Sequence, residues 1–400
     1  MICLRALGIV CEYNPFHFGH LYQMEESRRI AGDAAVICVM SGDYVQRGEA
    51  ALLDKFARAE AACRCGADLV VELPLPWCLS SAEGFASGAV SILSALGCSL
   101  LSFGSETGEL VDLRQAAALL LDVKTDAAIR ELLKAEPSLA YAKARETVLE
   151  RHMGEKAELL RLPNNILALE YLKAIARDHP DLLPIAVLRQ GGGHDNLGEQ
   201  DVPSAKKIRK LYRAGKCIEN YLPPESAAIL HREEKAGRVS SPASMEGLLR
   251  SRLVQLKAED FEELPDAKDG AGRRLYKTLR EGKSLHETVE LASSKRYAKA
   301  RMRRILLCAA LGLQAEDQQG RPPYVRLLAC NEKGRAYLAK RKDAFGLPIL
   351  TKPSAVRKLG EAAQRVFALG SSAHDLFMLQ YVPCGDIPLG EDWKKGPVIV

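Results

Sequence analysis

Short apolar runs alternate with amphipathic stretches along the first half of the chain. The runs fall at residues 7–10, 34–40, 68–72 and 100–103, and stretches such as 53–65 and 84–96 between them carry apolar residues at helical spacing. Runs that stay apolar on both faces suit buried parallel strands, and the helical stretches supply the crossovers that parallel pairing requires. The pattern predicts βαβ units and a parallel α/β sheet. Residues 183–188 add a further strand. Before it, residues 108–153 read as an inserted or appended helical segment rich in Ala, Leu and Glu. At Leu162-Pro163-Asn164-Asn165-Ile166 a helix restarts and continues through Leu172, because Pro followed by Asn-Asn is a start signal. Asn164 either caps that helix or contacts a ligand.

From about Lys216 the pattern is mostly helical, over 244–256, 275–281, 284–292 and 296–311, with a strand at 324–329 after the break at Pro322-Pro323. This divides the chain into an α/β domain over 1–215 and a mostly helical, basic domain over 216–400. In an open α/β sheet the loops at the carboxyl ends of the strands line the ligand crevice. Asp43, Gln46, Arg47 and Gly104 are therefore expected to face a ligand. Lys55 and Arg58, on the next helix, are expected on its solvent face.

The first strand end carries the densest chemistry. Gly8-Ile9-Val10-Cys11 is followed by a turn through Asn14-Pro15, and a helix begins near Gly19, so free backbone N–H groups and the positive helix end converge where an anion could sit. His17 and His20 fall on one face of the first turn, and Gly19 between them keeps no side chain in the way of a ligand. The pair can donate hydrogen bonds to phosphate oxygens as charge builds during attack at an α-phosphorus. A four-residue His-x-Gly-His pattern also arises structurally or by accident, and histidines serve as metal ligands, although no Cys or carboxylate stands nearby at zinc-like spacing. Arg189, at the end of 183–188 and followed by Gln190 and three glycines, is placed to clamp phosphate or stack on a base. Asn196 stands where a dinucleotide fingerprint needs its third Gly.

Composition narrows the class. A chain of 400 residues with a formal charge of +5 has ordinary apolar and charged fractions, which suits a globular protein. No run of eighteen apolar residues occurs, and the N-terminus lacks the basic start and cleavage site of a signal peptide, so a cytoplasmic enzyme is expected. The eleven cysteines are scattered without a Cys-x-x-Cys pair, which favours reduced, buried thiols. The charge is uneven. Residues 273–304 hold eleven Lys and Arg against three acidic residues, with Tyr276 and Tyr297 interleaved, and Lys206-Lys207-Ile208-Arg209-Lys210 continues to Arg213 and Lys216. Solvated helix faces carry such charge, and so do surfaces that bind nucleic-acid phosphates.

Glu12-Tyr13-Asn14-Pro15-Phe16-His17-Phe18-Gly19-His20-Leu21-Tyr22, Met40-Ser41-Gly42-Asp43-Tyr44-Val45-Gln46-Arg47-Gly48-Glu49, Phe103-Gly104-Ser105-Glu106 and Pro163-Asn164-Asn165-Ile166-Leu167 together resemble the bacterial tRNA(Met) cytidine acetate ligase family, over roughly the first 210 residues and in family order. The wider superfamily is that of His-x-Gly-His nucleotidyltransferases. The resemblance implies a Rossmann-like domain followed by a mostly helical domain that holds tRNA. It implies activation of acetate by ATP as acetyl-adenylate, then acetylation of N4 of the wobble cytidine of elongator tRNA(Met) to N4-acetylcytidine. It also assigns the ATP site to Val10, Cys11, Glu12, Tyr13, Asn14, Pro15, Phe16, His17, Phe18, Gly19, His20, Leu21, Tyr22 and Gln23, then Gly104, Asn164, Arg189 and Gln190. His17 and His20 would polarise phosphates, Gly104 would admit the adenosine and Arg189 would offset phosphate charge, while Glu12 is open to a structural role. In the superfamily a later Ser-x-x-x-Ile-Arg element faces the phosphates, which points to Ser204 and Arg209.

Charge and resemblance together make Lys206, Arg301, Arg303 and Arg304 the expected tRNA contacts. Mg²⁺ is the usual companion of nucleotide phosphates, and no motif here supplies it. Phe18, Ala50 and Lys206 depart from the family pattern, which expects a small or polar residue, Pro and a hydroxyl there. Two other readings stay open: an adenylyltransferase or ligase acting on a small molecule without RNA, and a non-catalytic RNA-binding protein.

Overall fold

The computed structural model of the chain describes residues 5–136, 138–189, 203–341, 344–381 and 389–400. Its strands are β1 (Ala6–Cys11), β2 (Ala35–Ser41), β3 (Tyr44–Val45), β4 (Glu49–Ala50), β5 (Leu69–Leu73), β6 (Leu100–Ser105), β7 (Leu183–Leu188), β8 (Val325–Cys330), β9 (Ile349–Leu350) and β10 (Val398–Ile399). The main sheet runs β10-β8-β5-β2-β1-β6-β7, with β9 also on β8, and every pairing in it is parallel except β5 with β8. The parallel α/β sheet expected from the apolar runs is thus the core of the molecule.

The continuous apolar runs follow from burial on both faces. Along β2, Ala35, Ile37 and Val39 enter one core, whereas Val36, Cys38 and Met40 enter the other, as the two-residue period of a strand dictates. Helices Ala82–Ala95 and Pro163–Asp178 cover the first face. Helices Phe18–Ala31, Lys55–Arg64, Ala205–Arg213 and Pro224–Lys235 cover the second. The 108–153 stretch forms three helices, Leu110–Leu121, Val123–Ala135 and Tyr141–Met153.

A third core gathers helices Pro242–Leu253, Ala271–Glu281, Leu285–Ala292 and Lys299–Leu311 around the end of the long helix Glu361–Met378. The strand expected at 324–329 forms as β8. It joins the main sheet, so that sheet takes strands from both sides of the expected boundary at residue 215.

Strand order places the site. β1 is followed on one side by β2 and β5, and the chain then crosses to the other side of β1 to lay down β6 and β7. The carboxyl ends of β1 and β6 therefore flank the point where the order reverses, where open α/β sheets form a ligand crevice.

Candidate active site

The loop after β1 is held from three sides. The Asn14 side-chain oxygen accepts from the Leu52 N–H at 2.8 Å, its carbonyl accepts from the Arg209 guanidinium at 2.7 Å, and the Phe16 carbonyl accepts from the Ser226 hydroxyl at 2.9 Å. Tyr13 and Phe16 sink into the core with edge-on rings 4.7 Å apart. Cys11 is also a core residue. Of the 10–23 segment assigned to ATP, these three side chains face inward and offer a ligand only their backbone. Phe18 is exposed, and Val10, Glu12 and the residues from Gly19 to Gln23 are half-buried.

The helix starts at Phe18, with buried His17 as its N-cap. The Gly19 N–H donates to His17 Nδ1 at 3.0 Å, the His17 N–H donates to His20 Nδ1 at 3.3 Å, and the two rings lie 3.8 Å apart at 32°. Because each Nδ1 accepts, each neutral ring carries its proton on Nε2. Burial pushes His17 down to about 3, helped by the Arg189 and Arg209 charges. Burial also lowers His20 well below the ordinary imidazole value, with His17 and Arg189 adding to the effect. The pair therefore consists of two neutral N–H donors, and the positive charge of the site comes from arginines.

Arg209 is buried on helix Ala205–Arg213, between the Asn14 carbonyl and the Glu49 carboxylate at 3.3 Å. Ser204 is the N-cap of the same helix, accepting from Lys207 N–H at 3.4 Å. At the end of β6, Gly104 lies beneath Arg189: a Cβ there would come within 3.2 Å of Arg189 Cγ. Arg189 itself is exposed. Gln190 lies outside the described residues.

Asn164 owes its position to Glu106. One Glu106 carboxylate oxygen accepts from the Asn164 N–H at 3.0 Å and from Asn164 Nδ2 at 2.5 Å, and the other accepts from the Asn165 N–H at 2.9 Å. Glu106, just beyond β6, thus caps helix Pro163–Asp178, which fills that helix end with protein charge and leaves the Asn164 side-chain oxygen without a hydrogen bond among the described residues. Neither Glu106 nor Glu49 could be assigned from sequence, since each acts on a partner remote along the chain.

Three expectations are corrected. Lys55 and Arg58 are both only 1% exposed, not on a solvent face. Arg58 donates to the carbonyls of Glu12, Ser41, Gly42 and Leu53, tying the ends of β1 and β2 together. The Lys55 ammonium lies 3.0 Å from Glu72 and 2.8 Å from Asp392. Asp43 does not face the crevice: it is buried against His374 at 2.7 Å, and its other oxygen accepts from the Lys55 N–H. Gln46 gives its N–H to Glu12 at 2.9 Å, while Arg47 is exposed. Burial raises the Glu12 carboxyl above its ordinary value.

The expected tRNA contacts fall into different surroundings. Lys206 is exposed, Arg301 donates to the carbonyls of Asp266 and Lys268, Arg303 pairs with Glu49 at 2.7 Å, and Arg304 is buried in an ion pair with Asp266 at 2.9 Å. Arg304 is therefore a structural cation.

A family model described as HIGH Nucleotidyl Transferase matches residues 4–384, and the chain belongs to that family. It is 36% identical over 389 residues to the tRNA(Met) cytidine acetate ligase of Caldanaerobacter subterraneus subsp. tengcongensis, covering 94% of this chain and 96% of the relative. To the enzyme of that name from Acetivibrio thermocellus it is 32% identical over 419 residues, covering 99% and 100%. Thermotoga maritima TmcAL bound with alpha-thio ATP superposes with a TM-score of 0.92 at 30% identity, covering 99% of this chain and all of the other. Within the nucleotidyl transferases, the chain belongs to the tRNA(Met) cytidine acetate ligases.

Proposed function

We propose that this chain activates acetate with ATP and acetylates N4 of the wobble cytidine of elongator tRNA(Met). In the first step an acetate oxygen attacks the α-phosphorus and pyrophosphate leaves. In the second the cytidine N4 amine attacks the acetyl carbonyl, AMP leaves, the amine loses a proton and N4-acetylcytidine remains. The observation that carries the reading is the pair of Nε2–H donors on His17 and His20, fixed by their own Nδ1 hydrogen bonds beside Arg189 and Arg209 at the reversal point of the sheet. Neutral, preorganised donors stabilise charge as it develops on phosphate oxygens, and removing one such donor costs about 10²- to 10³-fold in rate.

Val10 to Gln23, Gly104, Asn164, Arg189 and Gln190 are the proposed ATP contacts, and the ATP-analogue complex of the Thermotoga maritima relative supports a nucleotide here. No group of three or more His, Cys, Asp or Glu that could hold a metal occurs among the described residues, and Mg²⁺ is proposed only as the usual companion of the nucleotide phosphates. No described helix is long and apolar enough to cross a membrane, and the nine described cysteines are free, in keeping with a cytoplasmic setting.

Acetate-dependent exchange of labelled pyrophosphate into ATP tests the first step, and mass spectrometry of digested tRNA(Met) tests the second. Exchange driven by another carboxylate and not by acetate overturns the acetate assignment. Exchange without N4-acetylcytidine leaves a small-molecule ligase.

A further inference from the structure

The two basic runs of the chain are not equivalent in the fold. Of the eleven Lys and Arg over 273–304, eight are held by carboxylates or backbone carbonyls, as in Arg273 with Glu262 at 2.7 Å and Lys299 with Glu290 at 2.5 Å. Five of these cations are paired with carboxylates and three are tied to carbonyls of the same helical region, although several remain on its surface. The run on helix Ala205–Arg213 is different. Only Arg209 is ion-paired, whereas Lys206, Lys210, Arg213 and Lys216 are exposed and make no ion pair among the described residues.

Spacing explains the exposure. Positions 206, 210 and 213 recur at i, i+4 and i+7, which aligns them as one stripe along the outside of the helix. The opposite side buries Ile208 completely and packs Leu211 and Tyr212 against the core beneath the sheet. Arg209, on the flank, reaches the Asn14 carbonyl in the loop that leads to His17. One helix thus presents uncompensated cations outward and braces the nucleotide motif inward, across a helix diameter of about 10–12 Å.

We propose that the outer face of helix Ala205–Arg213, continued by Lys216, and not the 273–304 run, is the surface on which the RNA sugar-phosphate backbone docks. A single-stranded loop held there lies one helix away from the His pair, and an unstacked base splayed from it is directed toward the crevice. The proposal rests on the RNA-acetylating reading and names where its RNA is held.

The test compares two variants of the full chain that lose equal charge. K210Q/R213Q/K216Q removes three of the four exposed cations of this surface, and K283Q/K295Q/R296Q removes the three cations of the other run whose side chains have no carboxylate or carbonyl partner among the described residues. Binding of fluorescent tRNA(Met) is read over about 50 to 200 mM salt. The first variant is expected to weaken binding, lowering the slope of log Kd against log salt by about two to three, and to leave acetate-dependent pyrophosphate exchange at the wild-type rate. The second is expected to bind tRNA like wild type. Wild-type affinity and slope in the first variant, or an equal loss in both, overturns the surface while the acetylation reading stands. Wild-type protein that fails to bind tRNA overturns both.

Discussion

His17 and His20 act on a ligand through Nε2 because each Nδ1 is already taken by a backbone N–H of the same turn. His20→Ala is expected to lower the exchange kcat by about 10²- to 10³-fold with little change in melting temperature. His17→Ala removes a helix cap as well, so it should additionally cost about 1 kcal/mol in denaturant unfolding. With His17 near 3 and His20 also far below its ordinary 6.5, neither ring of the free enzyme titrates in the neutral range. The profile of kcat/KM for exchange should show no imidazole limb between about pH 5.5 and 8.5, and a limb near the ordinary histidine value would mean that the charged ring is the active form. The His pair was legible in sequence because its chemistry lies within four residues. Glu106 was legible only as a polar residue at a strand end, since its target lies across the crevice at Asn164.

Among elements, the crevice depends on joints between segments far apart in the chain. Glu106→Gln replaces a carboxylate that accepts three hydrogen bonds at the start of helix Pro163–Asp178. It should cost roughly 1.5–3 kcal/mol and raise KM for ATP, read by denaturant unfolding and exchange kinetics. Gly48, between β3 and β4, has φ +74° and would place a Cβ 2.6 Å from Arg303 Cβ and 2.7 Å from the Arg304 nitrogen. Gly48 thus lets the hairpin touch helix Lys299–Leu311, where Glu49 bridges Arg209 and Arg303. The strands and most helices were readable because periodicity is local. This joint was not, because its two sides are brought together only by folding.

Across the whole molecule, a buried ionic cluster fastens the C-terminal residues to the sheet. Lys55 and Arg326 share Asp392, Lys55 also holds Glu72, and His374 sits between Asp43 and Glu391. Lys55→Met would leave Glu72 and Asp392 undercompensated in the interior and should cost about 3–5 kcal/mol in unfolding free energy. Burial alone would lower His374, but the Asp43 carboxylate and Glu391 outweigh it and lift the imidazole to about 10. A raised value means that the folded state binds the proton more tightly. The stabilisation is therefore complete below the ordinary 6.5 and is lost as pH rises from there toward 10. Melting temperature should fall over that interval in wild type, with the part due to this group absent from His374→Gln. Lys55, Arg58 and Asp43 were misplaced from sequence because neither helical spacing nor a place at a strand end shows which groups folding will bring against a polar side chain: carboxylates for Lys55, backbone carbonyls for Arg58 and an imidazole for Asp43.

The sequence by itself determined the alternation of strands and helices, the His pair at the end of β1 and the unequal distribution of positive charge, because each is set by residues close together in the chain. Tertiary structure alone decided the desolvation that keeps the histidines neutral, the capping of Asn164 by Glu106, the burial of Lys55, Arg58 and Asp43, and which basic run keeps its charge free. All of these depend on pairing and desolvation between residues tens to hundreds of positions apart, and a polar side chain takes its role from the partners that burial gives it.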